Sequence, residues 1–349
     1  MGVHLLDKTV QKFRSLSRFC ILLLSYSLPV ISSASDAVSV VQSPLMNRPA
    51  FVVPGESFTI EYQAPAALTA ASLFLPELGI NYSLALSNSQ YANGVGKVTA
   101  TVSSITPFEL YDLVVTVTGG SSDAVRRCVR VLPTYKNSFT FIHLPDCHLP
   151  EVAWEFDYVD PNTETELRQI IKEMNLIHPE FVLQTGDVIN NGSIEEEYRL
   201  AQQMLEASEV PVFLTGGNHD LWDNGHTYWH RYFGKKMDYS FRYGPIRFIG
   251  LEMYDQPSKT YTQTQMNWLV TELKTSNGNV NETSRILFTH FDESRQLTGD
   301  FVDRYRIDGI LYGHLHRNIE QSWGTRSALK LCTSYTMNDN GEYRLVKVQ

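Results

Sequence analysis

Cysteine is scarce in this 349-residue sequence, which contains Cys20, Cys128, Cys147 and Cys332. Cys20 lies in a predicted leader segment, so three remain, and an odd number allows at most one intramolecular disulfide. A small scaffold held together by disulfides is therefore excluded. Cys147 stands between Asp146 and His148. We interpret it as a packed thiol that points away from both neighbours, rather than as a nucleophile.

Positive charge is also in short supply. The chain has 29 Lys and Arg against 38 Asp and Glu, a formal net charge of −9. Its dense basic run is RRCVR at residues 126–130, whose alternate side chains would divide between the two faces of a strand. A nucleic-acid scaffold needs a concentrated basic face, so the charge pattern argues against binding of that kind.

Apolar runs long enough for a comfortable membrane span are missing as well. The apolar stretch FCILLLSYSLPVI at residues 19–31 is interrupted by two serines and a proline. Basic residues precede it and the small residues SSAS follow, so residues 1–35 predict a signal peptide, with an uncleaved signal anchor as the alternative. We expect an exported protein, secreted, periplasmic or on the cell surface, with no stable membrane span once the signal is cleaved.

The composition that is present, 43% hydrophobic and 19% charged, is typical of a folded chain, and its length suggests two domains. Residues 36–135 alternate apolar and polar side chains in runs such as FTIEYQ and KVTATVSS, separated by turn residues. This pattern predicts a small immunoglobulin-like β-sandwich. A tyrosine just before a strand, in ITPFELYDLVV, suggests the tyrosine corner of such sandwiches.

The pattern changes over residues 138–349. The strand-like FTFIHL, FVLQT and PVFLT alternate with helix-like TELRQIIKEMNLI and IEEEYRLAQQMLEAS. This order predicts parallel strands joined by right-handed crossovers. Further strands (YSFRY, IRFIGLEM, RILFT, GILY, YRLVKV) and a helix (TQTQMNWLVTELK) continue the layering. The second domain is therefore predicted to be an α/β fold.

Polar side chains that can bind metal follow five of these strands. They are Asp146 and His148, Asp187, the run Asn218-His219-Asp220, His290, and His314 with His316. Ligands collect at the carboxyl ends of strands in α/β sheets, so we expect these groups to converge. The pairs two residues apart can project to one side of an extended segment. Carboxylate oxygens with imidazole nitrogens suit Zn, Mn or Fe, and the lack of thiolate ligands argues against a structural zinc site.

The ordered set D-x-H, G-D, G-N-H-D, H and G-H-x-H resembles the calcineurin-like metallophosphoesterase superfamily over roughly residues 139–349. The resemblance implies a four-layer β-sandwich flanked by helices, and a centre of two divalent metal ions. Asp146, His148 and His316 would bind one ion; Asn218, His290 and His314 would bind the other; Asp187 would bridge them. A hydroxide would then attack phosphorus in line. His219 would act as general acid, and Asp220 either orients His219 or caps a helix.

Departures from the family pattern narrow the expected chemistry. Purple acid phosphatases have a tyrosine ligand where this chain has Asn190, and protein phosphatases have G-N-H-E where it has G-N-H-D. The context GDVINNGSIEEEYRLAQQML looks more like class III cyclic-nucleotide phosphodiesterases and related secreted phosphodiesterases. We therefore expect a phosphodiesterase acting on a small-molecule, lipid or nucleotide phosphoester.

Three further polar residues have both a structural and a functional interpretation. His226 and His230 in HTYWH have helical spacing, and an aromatic wall is favoured over a third metal site. That wall, and Asn191 close to Asp187, are candidates for contact with substrate. His143, in the middle of a strand, is interpreted as buried structure.

Two alternatives to the phosphodiesterase stay open at this point. One is a phosphomonoesterase or nucleotidase of the same family. The other is a surface binding protein in which the β-sandwich binds the partner and the metal site is vestigial.

Overall fold

The computed structural model describes residues 6–7, 37–150, 163–255, 257–291, 294–336 and 341–349. The predicted leader at residues 1–35 lies outside this part of the chain, apart from Leu6–Asp7, which form the short strand β1. In the described ranges, none of the helices combines the length and apolar character needed to cross a membrane.

The first structural unit is a β-sandwich. Its strands are β2 (Val41–Ser43), β3 (Ala50–Val52), β4 (Ser57–Gln63), β5 (Leu68–Leu75), β6 (Ile80–Ser83), β7 (Ala85–Ala92), β8 (Val95–Thr101), β9 (Leu110–Val117) and β10 (Ser122–Val131). They form two sheets, in the orders β3-β10-β9-β5-β6 and β2-β4-β8-β7. Ile60 of one sheet and Leu73 and Val115 of the other share one buried core. The period-two pattern therefore corresponds to two sheets packed face to face.

Tyr111 supports the predicted corner of this sandwich. It lies at the start of β9, is fully buried, and its hydroxyl donates to the carbonyl of Pro107 at 3.0 Å. This bond to a carbonyl a few residues upstream is the one that defines a tyrosine corner. The immunoglobulin-like assignment and the domain boundaries themselves stay predictions.

The second unit is a mixed α/β structure. Its strands are β11 (Phe139–Leu144), β12 (Val182–Thr185), β13 (Val212–Thr215), β14 (Tyr239–Tyr243), β15 (Ile246–Gly250), β16 (Ser284–Phe288), β17 (Gly309–Tyr312), β18 (Ile319–Trp323), β19 (Ala328–Cys332) and β20 (Arg344–Val348). Its helices are α1 (Thr163–Ile177), α2 (Glu195–Leu205), α3 (Asn218–Leu221), α4 (Gly225–Tyr232), α5 (Gln263–Gly278) and α6 (Gly299–Tyr305). The sheet orders are β1-β20-β11-β12-β13 and β14-β15-β16-β17-β19-β18.

These elements pack in four layers. An aromatic core, which includes Phe141, Phe181 and Phe248, joins strands of the two sheets. The outer face of the first sheet packs against α1, α2 and α4, and the outer face of the second packs against α5 and α6. The predicted α/β architecture with flanking helices is confirmed. The parallel pairing of β11, β12 and β13 agrees with the predicted crossovers.

The β-sandwich is attached to the second unit through the chain around β3. Phe51 packs against the rings of Phe181, Phe213 and Tyr243, with centroids 5.9, 5.5 and 5.0 Å away. The backbone amide of Leu214 donates to the carbonyl of Asn47 at 2.9 Å. The two units therefore share apolar core and backbone hydrogen bonds.

The three cysteines of the described chain are buried and free. Burial raises the pKa of the Cys147 thiol to about 12, and the side chain belongs to the core between the first sheet and its helices. A thiol of this kind stays protonated and unreactive at neutral pH. The interpretation of Cys147 as a packed thiol is confirmed.

His143 in β11 makes the fold sensitive to acid. It is fully buried, and its Nε2 and Nδ1 lie 2.9 and 2.7 Å from the hydroxyls of Thr185 and Thr333. Burial, and then the charge of Arg344, lower the pKa of His143 from 6.5 to about 3. The folded state therefore binds fewer protons than the unfolded state, and stability present above pH 6.5 is lost as the pH falls towards 3.

A His143→Gln variant tests this linkage, because glutamine can bond both threonines but does not take up a proton. We expect the free energy of unfolding of the wild type, relative to the variant, to fall by about 2 kcal/mol between about pH 7.5 and about pH 5. Urea unfolding of both proteins at both pH values measures this difference. The same change with pH in both proteins would show that His143 does not carry the effect.

Candidate metal centre

The structure brings all seven predicted ligands to one end of the two packed sheets. Asp146 and His148 follow β11, Asp187 follows β12 and Asn218 follows β13. On the second sheet, His290 follows β16, and His314 and His316 follow β17. Convergence at the carboxyl ends of parallel strands is the arrangement expected for a site in an α/β sheet.

The first group of ligands consists of Asp146, His148 and His316. One atom from each lies within 4.8 Å of the others. The two Nε2 atoms of the histidines are 3.3 Å apart, and Nε2 of His316 is 3.6 Å from Oδ1 of Asp146. One cation of ordinary size could contact all three donors, since metal–nitrogen and metal–oxygen bonds are about 2.0–2.2 Å long.

The second group consists of Asp187, His290 and His314, again with one donor atom each within 4.8 Å of one another. Asn218 joins it, because its Oδ1 lies 3.0 Å from Nε2 of His290. Asp187 also approaches the first group: its Oδ2 is 3.1 Å from Nε2 of His290 and 3.8 Å from Nε2 of His148. The carboxylate of Asp187 therefore stands between the two groups.

The backbone at these ligands is left-handed, which corrects the expectation of extended segments. Asp146, His148, Asp187, His314 and His316 all have φ between 46° and 67°. Neighbouring loops hold this conformation, since the amides of Asp146 and His148 donate to the carbonyls of Gly186 and Asp187 at 3.0 and 2.9 Å. Non-glycine residues in this region are uncommon and cost free energy. Their concentration in one cluster marks it as a functional site.

Two glycines allow the strand ends to approach each other. A Cβ on Gly217 would lie 2.2 Å from Oδ1 of Asp187, and one on Gly186 would lie 2.6 Å from Nδ1 of His290. Gly186 also has a φ of +90°, which side chains disfavour. The prediction that these glycines serve a crowded strand end is confirmed.

Burial gives two of the three most closely packed imidazoles the neutral state that a metal ligand requires, and the third is held protonated by a carboxylate. Burial lowers the pKa of His148 and of His314 to about 4, so both are neutral at pH 7. Burial would also lower the pKa of His290, but the nearby Asp187 carboxylate raises it to about 9. Burial opposes ionisation of Asp187, but the charge and hydrogen bond of His290, together with the charges of His148 and His219, hold the pKa of Asp187 below its usual range. A divalent cation can replace the His290 proton as the partner of Asp187.

The donor set fits a divalent metal. Nδ1 of His290 lies 2.9 Å from the carbonyl of Thr185, so it carries the proton and leaves Nε2 facing Asp187 and Asn218. Asp146 and Asp187 are at most 1% exposed, and buried carboxylates need a counter-charge. The mixture of carboxylate, amide and imidazole donors, without a thiolate, suits Zn, Mn or Fe.

His219 faces the same cluster. Its ring lies 4.6 Å from that of His148, and one of its nitrogens is within 4.8 Å of an Asp187 oxygen. Nδ1 lies 2.7 Å from the carbonyl of Asn190, which can only accept, so Nδ1 carries a proton and Nε2 is the nitrogen available for proton transfer. The side chain is half-buried, unlike the buried ligands His148 and His290.

In the structure the carboxylate of Asp220 accepts hydrogen bonds from backbone amides of two loops, and not from the ring of His219. Oδ1 accepts from the amides of Val188 and Ile189 at 2.9 and 3.1 Å, and Oδ2 accepts from Gly217 at 2.8 Å in a capping box. Of the two interpretations open for Asp220, these bonds favour the helix cap. Asn190 supplies the carbonyl that orients His219.

Sequence reasoning missed Glu197, which supports His219 through Asn190. Its carboxylate is buried in α2 and accepts from the amides of Asn190 and Asn191 at 3.0 and 2.6 Å. Glu197 is one of three consecutive glutamates, Glu195 to Glu197. Nothing in that run distinguishes the buried one, although the helical period places Glu197 on the same face as the buried Ala201.

The three residues predicted to contact substrate lie at the edge of the centre or away from it. Asn191 is exposed next to Asn190, and its Oδ1 accepts from Ser193 at 3.0 Å. Nε2 of His226 lies 2.7 Å from Glu252, and the His230 ring is 6.1 Å from that of His226. Within the described contacts, neither histidine touches a predicted ligand. Their assignment to substrate stays a prediction.

The comparisons with known proteins agree with this geometry. The family model described as calcineurin-like phosphoesterase matches residues 139–318. A probable cyclic nucleotide phosphodiesterase of Ruthia magnifica subsp. Calyptogena magnifica is 28% identical, covering 60% of this chain and 91% of the relative. A probable glycerophosphodiester phosphodiesterase of Arcobacter nitrofigilis is 26% identical, covering 42% of this chain and 59% of the relative.

Among solved structures, a purple acid phosphatase from yellow lupin (Lupinus luteus) seeds superposes with a TM-score of 0.50 at 14% identity. The match covers 82% of this chain and 63% of that chain, and at this identity it indicates a shared fold alone. The family model covers more than half of the chain and includes all seven predicted ligands. This chain therefore belongs to the calcineurin-like phosphoesterase family and is a metal-dependent phosphoester hydrolase.

Proposed function

We propose that this hydrolase is an exported phosphodiesterase with a centre of two divalent metal ions. The observation that carries the proposal is the position of Asp187, whose carboxylate lies between the two ligand groups. The names of the relatives, a cyclic nucleotide phosphodiesterase and a glycerophosphodiester phosphodiesterase, support a diester substrate. The basic and apolar character of residues 1–35 supports export.

The chain supplies two sets of donors for the metals. Asp146, His148 and His316 form one set, Asn218, His290 and His314 form the other, and Asp187 serves both. When bound, two divalent ions activate water at neutral pH and neutralise charge on the phosphate oxygens. The buried carboxylates and the left-handed backbone keep the donors in place before substrate arrives.

His219 transfers the proton to the leaving oxygen. The Asn190 carbonyl fixes Nδ1 as a donor, so a second proton on Nε2 can be given to the alkoxide as the ester bond breaks. The backbone amide of His219 donates to Oδ1 of Asp187 at 2.9 Å, which keeps the acid next to the metal donors. The bonds from Asn190 and Asn191 to Glu197 keep the orienting carbonyl in position.

A comparison of two substrates tests this function. Purified protein reconstituted with Mn²⁺ or Zn²⁺ is assayed with bis-p-nitrophenyl phosphate and with p-nitrophenyl phosphate. We expect kcat/KM for the diester to exceed that for the monoester by at least about tenfold, a difference of about 1.4 kcal/mol in transition-state binding. A preference for the monoester would favour the phosphomonoesterase or nucleotidase, and no hydrolysis of either would favour the binding protein.

A further inference from the structure

Five aromatic rings make consecutive contacts through the predicted metal ligands His148 and His316. Trp222 lies 5.1 Å from His219, His219 lies 4.6 Å from His148, His148 lies 5.2 Å from His316, and Tyr335 stacks on His316 at 4.5 Å. The middle ring is buried, and the Trp222 end is 44% exposed. The series therefore runs from the buried His148 to the exposed Trp222 at one end and to the half-buried Tyr335 at the other.

We propose that Trp222 is a specificity-determining residue that stacks on a planar group at the leaving-group side of the substrate. The inference rests on the proposed function, because it takes His219 as the group that protonates the leaving oxygen. A substituent on that oxygen must extend from His219 towards its neighbours. Trp222 is in ring contact with His219, so it lies beside any bulky substituent.

The exposure of Trp222 sets it apart from the other tryptophans that the structure describes. Trp229 is 1% exposed in the core, Trp268 of α5 is partly buried against the core beneath that helix, and the face of Trp323 is covered by the ammonium of Lys330 at 3.7 Å. An exposed indole in ring contact with the proposed general acid presents a planar apolar face where a ligand can cover it.

The backbone of Trp222 is held by hydrogen bonds, so the segment that carries the ring is already ordered before a ligand binds. Its amide donates to the carbonyl of the ligand Asn218 at 3.0 Å, and its carbonyl accepts from Gly225 at 2.8 Å. A Cβ on Gly192 would lie 2.7 Å from the Trp222 carbonyl, so the neighbouring loop also packs closely there. An ordered segment of this kind lowers the entropy lost on binding.

The chemistry favours a nucleoside phosphodiester over a glycerol phosphodiester. A nucleobase offers a planar face to indole, and stacking of one base on an aromatic side chain changes affinity by about 5- to 150-fold. Glycerol has no planar face. A choline group would interact through its charge instead, so it is a separate outcome of the test.

The test uses Trp222→Leu, which removes the ring, and Trp222→Phe, which keeps a planar face. Phe108→Leu is the matched control, because Phe108 is 52% exposed in the β-sandwich. The substrates are 3′,5′-cyclic AMP, glycerophosphoglycerol and glycerophosphocholine, all with the metal-reconstituted protein. We expect Trp222→Leu to raise KM for cyclic AMP about 5- to 100-fold with kcat nearly unchanged, because stacking away from the reacting atoms is uniform binding.

For glycerophosphoglycerol, KM should stay within about twofold in every variant, and Trp222→Phe should restore most of the affinity for cyclic AMP. Equal losses with all three substrates would mean a structural role for Trp222 and overturn the inference. A loss confined to glycerophosphocholine would overturn it in favour of a cation-binding surface.

A binding measurement separates this inference from the proposed function. Isothermal titration compares AMP, which carries a base, with glycerol 3-phosphate, which does not. We expect Trp222→Leu to weaken AMP binding about 5- to 100-fold and to leave glycerol 3-phosphate unchanged. This result would support the stacking surface even if no diester were hydrolysed, in which case only the proposed reaction would fail. Equal affinity of the wild type and Trp222→Leu for AMP would overturn the stacking surface, whatever the protein hydrolyses.

Discussion

Replacing Asp187 with asparagine is expected to lower kcat/KM for bis-p-nitrophenyl phosphate by at least about 1,000-fold, or about 4 kcal/mol of transition-state stabilisation. The physical reason is that Asp187 is the carboxylate placed between both ligand groups. Asparagine has nearly the same shape but no charge, so it opposes the charge of two cations less effectively. It also presents an amide nitrogen, which is a poor metal ligand, in place of one oxygen.

The control for this experiment is Asp300→Asn, since Asp300 is an exposed carboxylate in the first turn of α6. That variant should keep the wild-type rate, because removing one exposed charge away from the site has little effect. The melting temperatures of all three proteins are measured alongside. Wild-type activity in a folded Asp187→Asn protein would contradict a shared role for this carboxylate.

The second large effect is expected at His219. His219→Asn should lower kcat by about 100- to 10,000-fold for a diester with an alkyl leaving group, the range typical of general acid catalysis. The loss should be much smaller for bis-p-nitrophenyl phosphate, because p-nitrophenolate departs without full protonation. The metal content should be unchanged, since the His219 side chain is not among the proposed ligands.

His178→Asn is the matched control for that variant. His178 is exposed just after α1 and has a φ of +53°, a conformation that asparagine accepts. Its replacement should leave both substrates unaffected. Equal losses for the alkyl and the p-nitrophenyl diesters in His219→Asn would rule out proton donation to the leaving group. Loss of metal from His219→Asn would instead assign His219 to the metal site.

The convergence of the site could be predicted from sequence because each ligand follows a buried strand. FTFIHL, YSFRY and GILY correspond to β11, β14 and β17 with the predicted bounds. Once the strands are parallel neighbours, their carboxyl ends meet, so Asp146 and Asp187 are brought together by topology alone. Strands can be predicted from the local pattern of apolar residues, and a single sequence is enough to show that pattern.

The backbone conformation of the ligands could not be predicted in this way. A two-residue spacing suits an extended segment equally well, and the left-handed conformation of Asp146 and His148 depends on bonds to loops distant in sequence. The bonds of Asp220 to the amides of Val188, Ile189 and Gly217 are likewise tertiary. Local propensity contains no information about such partners.

The attachment of the β-sandwich was also beyond sequence reasoning. Phe51 belongs by its pattern to a strand of the first unit, yet its ring packs between Phe181, Phe213 and Tyr243 of the second. An apolar residue in a strand signals burial but not the core in which it is buried. The burial of Glu197 could not be predicted either, because an acidic residue in a helix ordinarily indicates a solvated face.

If the seven donors bind two divalent ions, the purified protein should retain both of them, and its metal content can be measured. The wild type is reconstituted with Mn²⁺ or Zn²⁺, freed of unbound metal, and analysed by inductively coupled plasma mass spectrometry against the protein concentration. The two ligand groups that share Asp187 predict about two ions per chain. A value well under one ion per chain in the folded wild type would show that these donors do not form a two-metal centre.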